Sequence, residues 1–255
     1  MYLLRHFLFI AITLARCAFS LRFRFFGVWV RHALAWLGDS LSLTFCRSRR
    51  VECDCCGWQG HRFFLQTFIS GTYVHRSREL CPRCQCLERQ RQLVRHLGDR
   101  TQLLSLNAPT ILDIAPTPAV IDWFRKQGLT SVTTVDLRPG VAALRMDITR
   151  LGFKEDVFDF ILCSHVLEHV PSDLEAMSEM LRVMKAAGVC VIQVPLQPSM
   201  LETVEYAVLN PDEFDHVRAY GKDFESHLKS AGFEITYSED ELFEVTKPQP
   251  TTEAA

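Results

Sequence analysis

Residues 157–196 constrain the fold of this chain more than any other segment, because their hydrophobic pattern changes from strand to helix and back to strand. The run of Phe158, Phe160, Ile161 and Leu162 is short and apolar, of the kind found in strands buried on both faces. Apolar residues at helical spacing follow and predict a helix of about four turns: Leu174, Met177, Met180, Leu181 and Met184. Gly188 is predicted to close this helix before a second apolar strand at residues 189–194. The order strand, loop, helix, strand is typical of a parallel α/β sheet.

The block FDFILCSHVLEHV, followed by a helix that ends in LRVMKAAG, resembles the central part of class I S-adenosylmethionine-dependent methyltransferases, and most of all their type 11 group. Members of that group usually read LKPGG where this chain reads MKAAG at residues 184–188. The resemblance covers roughly residues 51–245. It implies a Rossmann-like, doubly wound α/β sheet of seven strands. It also implies methyl transfer from S-adenosylmethionine to an O or N atom of an acceptor.

Polar residues follow the first strand of this block, where ligands sit in parallel α/β sheets. They are expected to line a crevice: Ser164, His165, Glu168 and His169. His165 could act as a general base, because histidine titrates near neutrality, or it could lie beside the cofactor and orient the loop. A metal site of the H-x-x-E-H kind is disfavoured, since Pro171 would cut short the helix that it needs.

The resemblance also implies a set of cofactor-binding residues at strand ends. They are Asp113, Ala115, Asp136, Leu137, Asp147, Ile148 and Ser164. Asp136 ends the predicted second strand, 131–136, and its two carboxylate oxygens could accept hydrogen bonds from both ribose hydroxyls. Leu137 would then cover the adenine. At the end of the predicted third strand, 143–147, Asp147 would bind the adenine amino group and Ile148 would pack on the ring.

The loop after the predicted first strand, 110–115, departs from the family pattern. It reads APTP at residues 115–118, where the family usually has G-x-G. Glycine lets a backbone approach a ligand closely, whereas proline removes a donor and fixes φ. This departure motivates an alternative function, a non-catalytic zinc-knuckle adaptor with a degenerate methyltransferase-like domain. The missing G-x-G-x-x-G also argues against a nicotinamide cofactor.

The acceptor site is expected in residues 195–221, which the sequence predicts to be irregular. The segment DHVRAYG at residues 215–221 resembles one found in the same methyltransferase branch. The expected acceptor-binding residues are His169, His216, Arg218 and Tyr220. They suit an anionic or hydroxylated acceptor, which would be a small molecule or glycan-like. In the alternative interpretation, an ion pair between Asp215 and Arg218 only shapes the loop.

Two cysteine pairs, Cys53 with Cys56 and Cys81 with Cys84, are separated by 24 residues. Four thiolates at this spacing are typical of one tetrahedral zinc ion with Zn–S bonds of about 2.3 Å. Because four protein ligands leave no open position, we predict a structural Zn²⁺ in a small zinc-ribbon-like module. The alternative is a group of reduced, partly buried thiols without a metal.

The segment CPRCQCLERQR resembles the second knuckle and following helix that precede the catalytic domain in one branch of type 11 methyltransferases. That branch usually has Gly or Ser where this chain has Gln85 and Cys86, a departure that does not touch the predicted ligands. Cys55 is also left over. Between the two knuckles, residues 62–68 and 71–76 are predicted to form a β-ribbon.

Charge is unevenly distributed along the chain. Residues 1–50 carry eight Arg and one acid, so that their net charge is +7, while the whole chain has −2 and the remainder therefore −9. A basic apolar segment suits an anionic membrane surface, and the acidic body argues against nucleic acid as a partner. The segment could be an interfacial helix, a targeting segment or a helix packed on the domain. Its apolar runs are too short and too charged to span a bilayer.

Four segments are therefore expected. Residues 1–50 form the basic apolar segment, 51–100 the zinc-knuckle module with its linking helix, 101–247 the methyltransferase domain and 248–255 a disordered tail. A final helix at 222–230 and an antiparallel pair of strands at 233–237 and 242–246 are predicted to complete the sheet. Zinc-bound thiolates require a reducing compartment, which predicts a cytoplasmic protein, with membrane association through residues 1–50.

Overall fold

The computed structural model describes residues 23–45, 51–70 and 73–248. The chain divides into two compact units. One comprises Met1–Arg100 with Pro118–Trp123, and the other comprises Thr101–Thr117 with Phe124–Ala255. The expected limits of the four segments stay predictions. Of the expected tail, only Pro248 lies within the described residues.

The first unit combines two helices with short antiparallel strands. Its elements are α1 (Phe23–Phe45), β1 (Val51–Glu52), β2 (Gln59–Gly60), β3 (Phe64–Ser70), β4 (Tyr73–Leu80) and α2 (Glu88–Asp99). β1 pairs with β2, and β3 pairs with β4 in a two-stranded ribbon, as the sequence predicted for the residues between the knuckles. The predicted helix after the second knuckle is confirmed as α2.

One face of α1 packs on this ribbon. The Trp36 indole nitrogen donates a hydrogen bond to the backbone carbonyl of Leu65 at 3.1 Å. The Asp39 carboxylate, almost fully buried, forms ion pairs with Arg62 and Arg78 at 2.8 and 2.7 Å. A helix packed on the domain was one of the three interpretations of residues 1–50, and residues 1–22 lie outside the described part of the chain. No helix among the described residues combines the length and hydrophobicity needed to cross a membrane.

The second unit contains a seven-stranded sheet and a separate two-stranded hairpin. The strands are β5 (Ile111–Ile114), β6 (Val132–Asp136), β7 (Leu144–Arg145), β8 (Phe158–Ser164), β9 (Met184–Gln193), β10 (Val204–Asn210), β11 (His216–Ala219), β12 (Glu234–Glu239) and β13 (Leu242–Thr246). The remaining helices are α3 (Pro118–Lys126), of which Pro118–Trp123 is assigned to the first unit, α4 (Asp173–Val183) and α5 (Phe224–Ser230). Seven strands pair in the order β12-β13-β9-β8-β5-β6-β7.

The pairing directions confirm the predicted fold class. Neighbours from β9 through β8, β5 and β6 to β7 are parallel, whereas β13 runs antiparallel to both β9 and β12. The sheet is therefore Rossmann-like and doubly wound, and β5 marks the point where the strand order reverses. The core lies where α4 covers the sheet, with Met177, Met180 and Ile161 fully buried. The clustered cysteines of the first unit are compatible with the expected small module.

The connection from α4 to β9 differs from the prediction. α4 ends at Val183, and β9 begins at once with Met184, so that Gly188 lies inside the strand instead of closing the helix. The register of β9 against β8 shifts between Phe158 and Phe160, which accommodates the extra residues. A Cβ on Gly188 would lie 2.6 Å from Met184 Cγ, 2.9 Å from the Lys185 carbonyl oxygen and 3.0 Å from the Phe158 carbonyl oxygen. The glycine is therefore needed where residues 184–188 pack closely on themselves and on β8, not to end the helix.

Two further expectations about secondary structure were wrong. The segment 195–221 is not irregular, because β10 and β11 form an antiparallel hairpin within it. The predicted third strand at 143–147 is reduced to the two residues of β7. β7 is an exposed edge strand, so its sequence carries little of the apolar signal that marks the central strands.

Candidate cofactor and acceptor site

A cavity of about 580 Å³ opens at the carboxyl ends of β5, β6 and β8. This volume lies within the range of about 300–1,000 Å³ that is usual for small-molecule sites. Seven of the residues predicted for cofactor, acceptor or catalysis line it: Ala115, Asp136, Leu137, Asp147, Ile148, His165 and His169. The switch point of a doubly wound sheet is the expected place for a ligand crevice.

Asp136, the last residue of β6, supplies a buried carboxylate to the cavity, with 5% of its surface exposed. Its Oδ1 accepts hydrogen bonds from the backbone nitrogen and Nε of Arg138 at 2.7 and 3.1 Å, and its Oδ2 accepts one from Nη2 at 2.9 Å. The side-chain hydrogen bonds from Arg138 hold the pKa of Asp136 below its usual value, so that the carboxylate is ionised. Arg138 was not among the site residues predicted from the sequence, although the D-x-R spacing of Asp136 and Arg138 was visible there.

Apolar side chains line the cavity beside this carboxylate. Leu137 is 60% exposed, which is unusual for leucine, and Met146 and Ile148 also line the space. Asp147 accepts two hydrogen bonds from Thr149, one from its backbone nitrogen and one from its hydroxyl, both at 2.9 Å. A buried acid next to an exposed apolar wall is complementary to a nucleoside, which has a hydroxylated sugar and a flat apolar base.

Two cavity residues that follow the central strands adopt left-handed backbone conformations. Ala115, after β5, has φ of 53°, and His165, after β8, has φ of 54°. The Ala115 nitrogen donates to the carbonyl of Val135 at 2.8 Å, and the His165 nitrogen donates to that of Gln193 at 2.7 Å. Each bond ties a strained residue to a neighbouring strand. Such strain is typical of functional sites, where the surrounding structure holds it in place.

The partly exposed His165 side chain pairs with the buried Glu168 carboxylate at the edge of the cavity. The distance from His165 Nδ1 to Glu168 Oε1 is 3.3 Å, and Glu168 is almost fully buried. Within the described part of the chain, His165 Nε2 and Glu168 Oε2 are buried without a hydrogen-bond partner. The histidine ring therefore lines the cavity while its Nε2 atom is shielded from water.

His169 and His216 are the accessible histidines of the site. Their rings meet edge to face, with centroids 4.7 Å apart. His169 lines the cavity, and His216 belongs to β11 and is not a lining residue. Donor atoms of Glu168, His169 and His216 all lie within 4.8 Å of one another. The hairpin thus brings His216 next to the cavity residue His169, and its role towards an acceptor stays a prediction.

Arg218 and Tyr220, also predicted for the acceptor, are buried beneath this edge. Arg218 donates to the carbonyls of Leu167 and Val170 at 2.8 and 2.6 Å, and to that of Pro171 at 3.0 Å. Its Nε pairs with Glu205 at 2.7 Å, whereas the sequence had suggested Asp215. These contacts hold the loop that carries His165 and His169.

Tyr220 has no exposed surface, and its hydroxyl donates to Asp173 Oδ2 at 2.9 Å. Asp173 is the first residue of α4, so this bond fixes the helix start against the strand end. Burial raises the pKa of the Tyr220 phenol well above its usual value. The side chain therefore stays protonated and serves as a donor.

Asp113 and Ser164 complete the predicted cofactor set but do not line the cavity. Ser164 donates to the buried amide oxygen of Gln193 at 2.8 Å. Asp113 lies inside β5, and its Oδ2 finds no hydrogen-bond partner among the described residues. Burial raises the pKa of Asp113 from its ordinary value of 3.8 to about 8. A protonated carboxyl therefore lies beneath the strand end.

The four predicted zinc ligands converge in the first unit. One sulfur atom from each of Cys53, Cys56, Cys81 and Cys84 lies within 4.8 Å of the other three. The distance from Cys53 to Cys84 is 3.7 Å, and from Cys56 to Cys81 it is 3.6 Å. A tetrahedron with Zn–S bonds of about 2.3 Å places its sulfurs about 3.8 Å apart. The donor set therefore fits one zinc ion.

The two knuckles have matching backbone geometry. Gly57, after the first pair, has φ of 69°, and Gln85, after the second pair, has φ of 63°. Gly57 donates its N–H to the carbonyl of Cys53 at 2.7 Å, and Gln85 donates to that of Cys81 at 2.9 Å. Gln85 thus adopts the turn that glycine usually makes. The repeated turn supports two equivalent knuckles.

A model of the methyltransferase domain family matches residues 87–238. The chain belongs to this family. Together with the strand order, the match shows an S-adenosylmethionine-dependent methyltransferase fold. The methyltransferase domain thus includes the cavity at the ends of β5, β6 and β8 and the hairpin beside it.

Among curated relatives, the chain is 34% identical over 97 residues to an uncharacterized protein of Methanocaldococcus jannaschii, a match that covers 38% of this chain. The chain spans about 40% of the length of that relative. Among solved structures, it is similar to the 1,6-didemethyltoxoflavin N1-methyltransferase of Burkholderia thailandensis, which was solved with its acceptor and S-adenosylhomocysteine. That pair has 18% identity, a TM-score of 0.46, and coverage of 62% of this chain and 76% of the other. A protein of Pyrococcus horikoshii is 15% identical to this chain with a TM-score of 0.46, and the match covers 62% of this chain and 92% of the other.

Proposed function

We propose that this protein is an S-adenosylmethionine-dependent methyltransferase that modifies an O or N atom of a small-molecule or glycan-like acceptor. The observation that carries the proposal is the buried Asp136 carboxylate at the end of β6, facing a cavity of about 580 Å³ in a methyltransferase domain. When bound, S-adenosylmethionine supplies a methyl group on a sulfonium that needs no further activation. The protein has to hold the acceptor in line with that group and exclude water.

Asp136 would accept hydrogen bonds from the ribose hydroxyls. Its carboxylate has room for further donors, since two oxygens offer about four lone-pair sites and Arg138 uses three. The Arg138 side chain is 71% exposed and could move aside for the sugar. Leu137 and Ile148 would enclose the adenine, and Asp147 would accept from its amino group. Burial of these apolar side chains against the base would supply much of the affinity.

The acceptor would enter on the side of His169 and His216. Both rings lie close to the buried Glu168 carboxylate, and each has ring nitrogens that can donate or accept a hydrogen bond. His165 has its Nε2 shielded from water, which supports a role in orienting the strand-end loop more than direct proton transfer. We therefore assign to His169 the proton that leaves the acceptor, and to His165 the positioning role. Arg218 and Tyr220 would act on the acceptor only through the loop and helix that they hold.

The zinc ion would be structural. Four thiolates complete its coordination and leave no position for a reacting water. In this proposal Cys53, Cys56, Cys81 and Cys84 fix the two knuckles that carry the ends of the β3–β4 ribbon. Loss of the ion would unfold that module, because the short strands of the first unit bury little apolar surface by themselves.

Residues 1–50 would associate with the cytosolic face of a membrane. The packed face of α1 carries Trp36, while Leu34 and Leu37 are 63% and 46% exposed. Exposed leucines on a segment with eight arginines and one acid suit an interface of acyl chains and anionic head groups. Binding to vesicles that contain anionic lipid, and not to neutral vesicles, is the expected result. Equal binding to both kinds would remove this part of the proposal.

The central test is calorimetric titration of S-adenosylmethionine into the zinc-loaded protein and two variants. We expect micromolar binding, loss of binding in Asp136→Asn, and retained or tighter binding in Arg138→Ala. Asn keeps the shape of Asp but replaces one acceptor oxygen by a donor, whereas Arg138→Ala removes a competitor for the carboxylate. If Asp136 served only to hold Arg138, both variants would lose affinity alike, and the ribose assignment would fail.

The alternative function is a non-catalytic adaptor, and the glycine-free loop at residues 115–118 is the feature that favours it. An adaptor would keep its zinc and its fold but would not bind S-adenosylmethionine. Well-folded, zinc-loaded protein that shows no heat of binding, and no methyl transfer to any acceptor supplied, would overturn the enzyme proposal and leave the adaptor.

A further inference from the structure

Two cysteines of the first unit are not used by the proposed zinc site, yet they lie against it. Cys55 and Cys86 are each only 2% exposed. The sulfur atoms of Cys53, Cys55 and Cys86 all lie within 4.8 Å of one another, and those of Cys53 and Cys86 are 3.3 Å apart. Cys53 therefore belongs to two groups of converging thiols, the tetrad described above and this triad.

The arrangement of the triad is that of ligands around an ion. Buried thiols without a metal usually pack separately among apolar side chains, since a thiol is a weak hydrogen-bonding group. Here three buried sulfurs lie within 4.8 Å of one another, and one of them is already a proposed ligand. The Cys84 sulfur also lies 3.7 Å from the shared Cys53 sulfur.

A buried cation beside the triad supports thiolate chemistry at Cys86. Arg91 is only 1% exposed, and its Nη1 lies 3.7 Å from Cys86 Sγ and 3.4 Å from the carbonyl oxygen of the same residue. Its Nη2 pairs with Glu88 at 2.6 Å. An N–H donor directed at a sulfur is a common neighbour of metal-bound thiolates, because it offsets their charge and orients them.

We propose that Cys53, Cys55 and Cys86 form a second site for a soft metal ion, which shares the Cys53 thiolate with the structural zinc. The first unit would then hold two ions in one thiolate cluster, with Cys53 as a bridging ligand. Soft sulfur ligands select Zn²⁺ and its heavier relatives, or Cu⁺. The second divalent ion adds no net charge to the cluster, because the two added thiolates offset it.

The experiment measures the number of ions bound by the full chain. Protein is loaded with Zn²⁺ or Cd²⁺, passed through a desalting column, and analysed by metal mass spectrometry against protein concentration. We expect two ions per chain in the unsubstituted protein, and one in Cys55→Ser and in Cys86→Ser. One ion in the unsubstituted protein, unchanged in both variants, would overturn the second site and leave the structural zinc. No ion at all would overturn both.

In a second measurement the bridge is read from the unsubstituted chain, so that misfolded ligand variants cannot decide the question. In protein loaded with ¹¹³Cd²⁺, two cadmium resonances are expected, each split by scalar coupling to the other through the shared Cys53 sulfur. Two resonances without coupling would overturn the bridge, and a single resonance would overturn the second site. Cys163→Ser serves as the control for losing a buried thiol outside the cluster, and should keep both ions.

Discussion

The buried carboxyl of Asp113 makes the stability of the protein depend on pH in an unusual direction. Asp113 is 2% exposed, and burial raises its pKa from 3.8 to about 8. The native state therefore keeps the proton above about pH 4, where the unfolded chain has lost it. Because the pKa of Asp113 is higher in the folded than in the unfolded state, its contribution to the stability is fully present below the unfolded pKa. That contribution is lost as the pH rises towards the folded pKa.

Asp113→Asn removes this dependence, because the amide of nearly the same shape does not ionise. Between about pH 5 and pH 8 the wild-type protein should lose roughly 3 to 4 kcal/mol of unfolding free energy relative to the variant, since one pKa unit corresponds to about 1.4 kcal/mol. Above about pH 8 the difference should level off, because both states of the wild type are then ionised. Urea unfolding at a series of pH values, followed by tryptophan fluorescence, measures the difference directly.

Asp159→Asn, in the neighbouring strand β8, is the matched control with the opposite sign. Burial alone would raise the pKa of Asp159, but hydrogen bonds from Lys185 and Thr110 hold it below its usual value. Its contribution is therefore present above the unfolded pKa and is lost only in acid, so that this variant should be destabilised at neutral pH. A stability difference for Asp113→Asn that stays constant from about pH 5 to pH 8 would show that the Asp113 carboxyl ionises normally, and would refute the reasoning.

Three further substitutions test other parts of the structure. Ala115→Gly should raise the unfolding free energy by about 0.5 kcal/mol. The left-handed backbone, with φ of 53°, strains alanine in the folded state by more than the free energy that glycine loses through the larger entropy of its unfolded chain. A destabilised variant would contradict this. Tyr220→Phe should lower the unfolding free energy by about 1.5 kcal/mol, since it leaves the buried Asp173 without its nearest donor; an unchanged urea midpoint would show that the bond is not formed in solution. Cys81→Ser should lower the metal content and the melting temperature together, and full zinc retention would remove this residue from the ligand set.

The fold could be predicted from sequence wherever burial dictates the pattern. β8 and the second half of β9 are mostly buried, so that their apolar runs were visible without any structure. The hairpin of β10 and β11 was not predicted, because β10 is largely exposed and its residues carry no alternation that separates a strand from a loop. The predicted end of α4 was wrong because a glycine such as Gly188 can either end a helix or allow close packing of the backbone. The sequence suggested a helix stop, whereas in the structure the start of β9 packs closely on itself and on β8 at this glycine.

The candidate site was predictable in its residue types but not in its partners. Strand ends give the positions of Asp136 and His165, because the topology of the sheet brings strand ends together. No pattern indicates that Arg218 will be buried with three carbonyl oxygens around its guanidinium, since a loop arginine is usually solvated. Its partners are set by how the hairpin folds back on the loop at residues 167–171. That contact is between residues nearly fifty positions apart.

The conformation of the first loop bears on the choice between enzyme and adaptor. The usual G-x-G sequence is needed because the backbone must turn in a left-handed conformation close to the ligand. Ala115 makes that turn with φ of 53°, held by its hydrogen bond to Val135, so that the backbone geometry is present without the glycine. The cost of a left-handed alanine is about 1 kcal/mol, which is small beside the affinity that a buried nucleoside provides. Loss of the glycines therefore does not by itself imply loss of the cofactor, and the intact carboxylate of Asp136 is the stronger evidence for an enzyme.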